Sequence, residues 1–327
     1  MLAGFISAGR GMGMPRVHIK ESLYKNIPSV TIGNDRVSFQ FLPQSGGKLA
    51  SAVDLRTGRE FMLQREGEAY RVQPYGGVYV LGECGGFDDM FPTIDECRYE
   101  RFPWQGTLLP DHGEVWGLPW SSRVSGNVFE MEVSGIRLPY RLAKRVFFLE
   151  DTTLRIEYRL TNPTPFPMDY LWAAHVMIPA EEGAHIQVSD EYGTAVTVFS
   201  KSGRIGGYGT EFGWRAMRER GERIDRVRRE DTCDFEKYYF KEKARGVGWC
   251  SIRYPSDRSE LRLSYPAEFV PYLGILVNEG GWNHLYHIIF EPCSATMDRL
   301  ETAALHGTLS VAAPGSERVW YLDLTIT

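Results

Sequence analysis

Three stretches of this 327-residue chain set polar side chains among aromatics, where an ordinary core strand would not. The first, Gly85 to Thr93, reads GGFDDMFPT. Gly-Gly opens it and Pro92 closes it, so it reads either as a loop presenting Asp88 and Asp89 to a ligand or as an ordinary turn with solvated aspartates. The second, Leu109 to Trp120, reads LPDHGEVWGLPW. On a strand, His112 and Glu114 share a face and Trp116 comes next along it, because side chains two apart point the same way. Such a wall suits a sugar: imidazole and carboxylate bond hydroxyls while the indole stacks on a C–H face. A metal site is the rival reading, but His-x-Glu supplies two ligands and no H-E-x-x-H accompanies it.

The third stretch comes in two parts, DYLWAAHVMIPAEEG from Asp169 to Gly183 and GGWNHLYHIIFEPCS from Gly280 to Ser294. In the latter, Leu285, His287, Ile289 and Glu291 share one strand face, and Glu291 stands just before Pro292, at an expected strand end. A carboxylate after Ile288-Ile289-Phe290 is hard to bury without a partner or a raised pKa. That environment suits a general base, although a core salt bridge produces the same pattern. His284 and His287 would pair for a metal on a helix; on a strand they face opposite ways.

The elements that must position these residues are strands. Val37, Phe39 and Phe41 alternate with Ser38 and Gln40, and Phe129, Met131 and Val133 with Glu130 and Glu132. Leu154 to Leu160 and Trp320 to Ile326 alternate in the same way. Each run has one apolar and one polar face, which fits antiparallel strands better than the continuous apolar runs of a parallel sheet. Glu150-Asp151-Thr152 reads as a hairpin loop between two such runs, and Asn162-Pro163-Thr164-Pro165 stops the second. The prediction is an all-β fold, a large antiparallel β-sandwich.

No internal repeat and no long Pro/Ser/Gly linker divides the chain, so residues 21–327 are expected to form a single domain. Residues 1–20 are expected to be a flexible N-terminal extension: Met1 to Gly13 lacks the basic region and small-residue site of a signal peptide, and the fold takes over near Pro15. A content of 43% hydrophobic and 13% aromatic residues provides for an extended core. The net charge of -5 argues against a nucleic-acid partner, and no apolar run is long enough to span a bilayer. Five widely spaced cysteines without C-x-x-C make a reducing cytoplasm the default compartment. Trp214 to Glu230 carries seven arginines against four acids. It reads as a solvated loop or short helix with local charge pairs rather than a phosphate clamp, because the acids interleave and Gly221 interrupts any helix.

The order GGFDDMFPT, LPDHGEVWGLPW, WAAHVMIP and YLGILVNEGGWNHLYHIIFEP resembles bacterial aldose 1-epimerase-type proteins of the galactose mutarotase-like superfamily, from about Ile32 to Ile326. The resemblance implies a supersandwich with a sugar cleft on its concave face. It implies His112 as a sugar-binding histidine, His175 as the general acid and Glu291 as the general base. Asp234, in CDFEKYYF, stands nearest to the family's substrate-binding aspartate, in surroundings that match poorly, and Lys237 in the same stretch is the alternative contact. The family's early sugar-binding arginine has no matching context here. The implied chemistry exchanges anomers of an aldose through ring opening, with one base, one acid and neither metal nor nucleotide cofactor. Two other readings stay open at this point. One is another carbohydrate-active enzyme on the same fold, such as a sugar-phosphate epimerase, lyase or hydrolase; the other is a non-catalytic carbohydrate-binding protein.

Overall fold

The computed structural model describes residues 16–65, 67–219 and 221–327, so the tail expected at Met1 to Gly13 lies outside the described residues. Strand pairing begins at His18, inside the stretch assigned to the extension, because His18–Tyr24 pairs along its whole length with Ile27–Gly33.

Two large antiparallel sheets make up the fold. The first has twelve strands. It starts His18–Tyr24, Ile27–Gly33, Val37–Leu42, Lys48–Asp54 and continues through Phe87–Met90, Ala173–Pro179 and Tyr286–Cys293. It then runs to Tyr272–Glu279, Asp234–Phe240, Thr194–Ser200 and Glu211–Gly213, with Arg59–Glu60 paired beside Lys48–Asp54. The second sheet has eight strands, with Thr153–Thr161 and Glu317–Ile326 at its centre.

Alternating sequence gives alternating burial where one face meets water. Phe129, Met131 and Val133 are buried while Glu130 and Glu132 are not, and Trp320, Leu322, Leu324 and Ile326 form one buried face. The hairpin at Glu150 to Thr152 joins Arg141–Glu150 to Thr153–Thr161, whose last residue precedes Asn162-Pro163. Inter-sheet packing is aromatic: Phe39 meets Phe148, Phe41 meets Phe129, and Tyr158 lies 4.9 Å from Trp172 between ring centroids.

The central strands of the larger sheet depart from the alternating rule. Tyr272–Glu279 is buried at every position, and Tyr286–Cys293 at all but its first. Their second face is roofed by protein as well, since residues on both faces are buried, so both faces select apolar residues and the runs become continuous. A polar side chain on that roofed face is therefore enclosed.

Candidate active site

Five neighbouring strands of the larger sheet bring one row of residues into line. Antiparallel register sets Asp88 opposite His175, Glu291 opposite Gly274, and Gly274 opposite Tyr239. The pairs Ala173–Cys293 and Val176–Phe290 bracket His175 against Glu291. Directly opposed residues share a face, so Asp88, His175, Glu291, Gly274 and Tyr239 form a single cross-strand row. Lys237, two residues before Tyr239, joins them on that face. Gly274 is required in the row: a Cβ there would lie 2.6 Å from Tyr239 Cε1 and 3.0 Å from Glu291 Oε2.

At the centre, His175 Nε2 faces Glu291 Oε1 at 3.9 Å, with the two side chains 5% and 0% exposed. Glu291 Oε1 has no hydrogen-bond partner among the described residues. Its Oε2 lies 2.8 Å from Tyr239 Oη and 3.1 Å from Lys237 Nζ. Asp298 Oδ1 is bound by the same two groups, 2.8 Å from Lys237 Nζ and 2.6 Å from Tyr239 Oη. One ammonium thus serves two carboxylates. Asp298 is the outermost of the acids, and a cavity of about 270 Å³, lined among others by Asp95, Tyr208, Met297 and Arg299, opens beside it.

Burial and charge set the protonation of this cluster. Burial pushes the Glu291 carboxyl above its ordinary range; Lys237 opposes that and the charge of Asp298 reinforces it. Burial also disfavours ionised Asp298, but Lys237 and the hydrogen bonds to it outweigh burial and hold its pKa low. Lys237 stays charged because Asp298 and Glu291 overcome its own burial. His175 is pushed well below the usual imidazole range, first by burial and then by His112 and Lys237, so its ring is neutral near pH 7. Burial thus disfavours the charged forms of both Glu291 and His175, the two groups that face each other.

His112 reaches this site from a turn, and the strand expected over Leu109 to Trp120 is not formed. The backbone turns sharply at His112 and Gly113, with φ of 59° and 74°, and Val115–Gly117 is a short 3₁₀ helix. Gly113 is forced: a Cβ would fall 2.3 Å from the Phe91 carbonyl oxygen. His112 accepts the left-handed region at some cost. In return its ring stacks on Tyr79, centroids 4.1 Å apart and 8° from parallel, and lies 5.3 Å from His175. Asp111 Oδ1 holds His112 Nδ1 at 2.7 Å, which leaves Nε2 for a ligand.

That geometry splits the expected His-Glu-Trp wall. Glu114 is buried and spent on fold, accepting from Tyr75 Oη at 2.6 Å and from the backbone N–H groups of Ile136 and Arg137. Trp116 is nearly buried and donates Nε1–H to the Asp111 carbonyl, so it braces the turn beneath His112. The stretch expected to be a loop at Gly85 to Thr93 contains the strand Phe87–Met90, whose neighbours face oppositely. Asp88 therefore joins the site row, paired with Lys48 at 2.8 Å. Asp89 points between the sheets, where it takes Lys144 Nζ at 2.7 Å and Trp172 Nε1 at 3.1 Å.

Asp234 and Lys237 also separate. Asp234 sits at the far end of its strand from Tyr239, bound by Arg228 at 2.8 Å and by Ser202. The arginine-rich stretch is locally paired: Arg215 with Asp190, Arg223 with Asp225, Arg228 with Asp234 and Glu279, and Arg229 with Asp231. The sequence reading missed Tyr79, Asp111, Lys48, Tyr239 and Asp298. Tyr239 was legible, since it stands two residues from Lys237; Asp298 carries no spacing signal, because a loop delivers it.

Neither protein-family models nor curated proteins give a match to the sequence. Solved structures do match in fold. A candidate aldose 1-epimerase from Klebsiella pneumoniae subsp. pneumoniae superposes with a TM-score of 0.70 at 12% identity, over 94% of this chain and 83% of that one. A galactose mutarotase-like protein from Clostridium acetobutylicum gives 0.67 at 11% identity, covering 95% and 98%. The Slr1438 protein of Synechocystis sp. PCC 6803 gives 0.64 at 14% identity, covering 98% and 99%. The fold is the galactose mutarotase-like sandwich. Among the described residues, no helix is long and apolar enough to cross a membrane.

Proposed function

We propose that this protein is an aldose 1-epimerase, interconverting the α and β anomers of a hexose or related free aldose by general acid–base catalysis. The observation that carries the reading is the buried pair of His175 Nε2 and Glu291 Oε1, 3.9 Å apart, with the Glu291 oxygen unpartnered. Neither group has another use for those atoms, and a polar atom left bare in a buried site is costly unless a ligand completes it.

The pair holds one mobile proton. Burial lowers the proton affinity of His175 and raises that of Glu291, so a proton shared by the pair is shifted toward Glu291. In the opening half, the imidazole takes the proton of the C1 hydroxyl while the Glu291 carboxyl protonates the ring oxygen. The bond between C1 and the ring oxygen breaks, leaving the open-chain aldehyde. Rotation about C1–C2 presents the other carbonyl face. In the closing half the roles reverse: the Glu291 carboxylate takes the proton of the attacking hydroxyl and imidazolium His175 protonates the new C1 oxygen. This assignment exchanges the roles implied by the family resemblance, in which Glu291 takes the C1 hydroxyl proton and His175 protonates the ring oxygen. His112, tethered by Asp111, is the sugar-binding group, and Lys237 with Tyr239 and Asp298 holds Glu291 in line.

The test is polarimetry, or NMR exchange, on freshly dissolved aldoses and their 6-phosphates. Glu291→Gln keeps shape but neither accepts nor usefully donates the proton, so exchange should fall by about 100- to 10,000-fold with the circular dichroism unchanged. Near-native exchange in that variant means Glu291 does not carry the proton.

A further inference from the structure

Behind His175 lies a chain of buried polar groups that the proposed exchange does not itself use. Lys48 Nζ lies 2.8 Å from Asp88 Oδ2 and donates to the Gly85 carbonyl at 2.6 Å. Tyr79 Oη donates to the same Asp88 oxygen at 3.0 Å, and the same hydroxyl lies 3.2 Å from His175 Nδ1. Asp88, Tyr79 and His175 are 0%, 3% and 4% exposed, so solvent does not compete for these bonds.

The proton count along this chain has one solution. A carboxylate paired with an ammonium can only accept, so it takes the single proton of the Tyr79 hydroxyl. The Tyr79 oxygen can then serve His175 only as an acceptor. His175 must therefore carry hydrogen on Nδ1, leaving Nε2, which faces Glu291, as the nitrogen that gains and loses the mobile proton.

Tyr79 holds the second histidine as well. Its ring is the one stacked on His112, and its backbone N–H donates to Asp111 Oδ2 at 2.9 Å, the carboxylate whose other oxygen grips His112 Nδ1. We propose that Tyr79 is the positioning residue of the site: its hydroxyl, backed by Asp88 and Lys48, fixes His175 in the Nδ1–H tautomer, while its ring and backbone hold His112. The arrangement does for His175 what a buried carboxylate does for a catalytic imidazole elsewhere, with a tyrosine hydroxyl interposed. This inference rests on reading His175 and Glu291 as the proton-carrying pair.

Side-chain nitrogen NMR of ¹⁵N-histidine-labelled wild-type protein, with His175 assigned from the His175→Asn spectrum, reads the tautomer without any activity. The expected result is a protonated Nδ1 and a bare Nε2 in the neutral ring; a wild-type ring protonated on Nε2 instead overturns the proposal whatever the variants do. Tyr79→Phe keeps the ring on His112 and removes only the hydroxyl. It should lower kcat for exchange by about 10- to 100-fold, the usual scale for losing a partner that orients a functional imidazole, and should lose the fixed Nδ1–H signature. KM should stay within about twofold. Wild-type kcat with an unchanged tautomer in Tyr79→Phe also overturns it. If His175→Asn itself exchanges at the wild-type rate, the epimerase reading falls, and the tautomer measurement still decides the relay separately.

Discussion

At the scale of single side chains, the two histidines of the site are held by different means and should fail differently when replaced. His175 is enclosed in the sheet row with Nε2 toward Glu291, and in the proposed exchange it acts on the proton in flight. His175→Asn should lower kcat by about 100- to 10,000-fold with little change in KM, because the lost interaction exists in the transition state. His112 stands on a turn, tied through Nδ1 to Asp111, and in the proposed exchange it meets ground and transition states alike through Nε2. His112→Asn should raise KM at least as much as it lowers kcat. Steady-state kinetics on both variants checks this; two pure KM effects would leave the proton to some other group.

At the scale of elements, the site depends on strands passing close enough for side chains to meet across a bare position. Gly274 separates Glu291 from Tyr239 in the row, and the nearest atom to a Cβ there belongs to a rigid ring at 2.6 Å. Gly274→Ala should therefore destabilise by about 1–3 kcal/mol through overpacking and cut exchange at least tenfold by moving Glu291. Denaturant melts and the exchange assay measure both; unchanged values would mean that the row tolerates a side chain there. A second element-scale contact joins the sheets. Lys144 binds Asp89 at 2.7 Å and the Gly47 carbonyl at 2.8 Å, with its ammonium 4.4 Å from the Trp120 ring centroid. Lys144→Met strands a buried carboxylate and should cost about 3–5 kcal/mol, whereas Asp89→Leu added to it should restore much of the loss. A double variant no more stable than the single one would show that the pair, not the stranded charge, supplies the stability.

At the scale of the whole molecule, the fold encloses titratable groups and so ties stability to pH. His287 is fully buried, has no partner for Nε2 among the described residues, and is pushed by burial down to about 3. The unfolded chain binds a proton there below about pH 6.5 while the native state does not, so stability present above that value drains away as pH falls. His175 acts in the same direction, and Glu291, with its raised pKa, opposes them. His287→Leu removes one of these terms. Between about pH 4 and pH 5.5 its unfolding free energy should depend on pH less steeply than wild type by about 1.4 kcal/mol per pH unit. Parallel slopes in urea melts would show that His287 is protonated equally in both states.

Strand alternation by itself determined the fold class, because the period of two follows from backbone geometry within each strand and needs no distant partner. It read correctly the runs ending at Phe41, Val133, Leu160 and Ile326, and the stop at Asn162-Pro163. The residue types around His175 and Glu291 were legible for a related reason: a polar group within an apolar run must be completed by something. Tertiary structure decided the rest. Register across five strands distant in sequence brought residues 88, 175, 239, 274 and 291 into one row, and no local pattern encodes which register wins. Glu114 and Asp89 looked as available as Asp88 until packing gave them partners, Tyr75 and two backbone N–H groups for one, Lys144 and Trp172 for the other. Asp298 entered the site from a loop and Tyr79 from the short 3₁₀ helix Tyr79–Leu81, whose paths are set by what they cover rather than by their own periodicity. A buried carboxylate's role is thus set by which donor reaches it first, and that is a property of three dimensions.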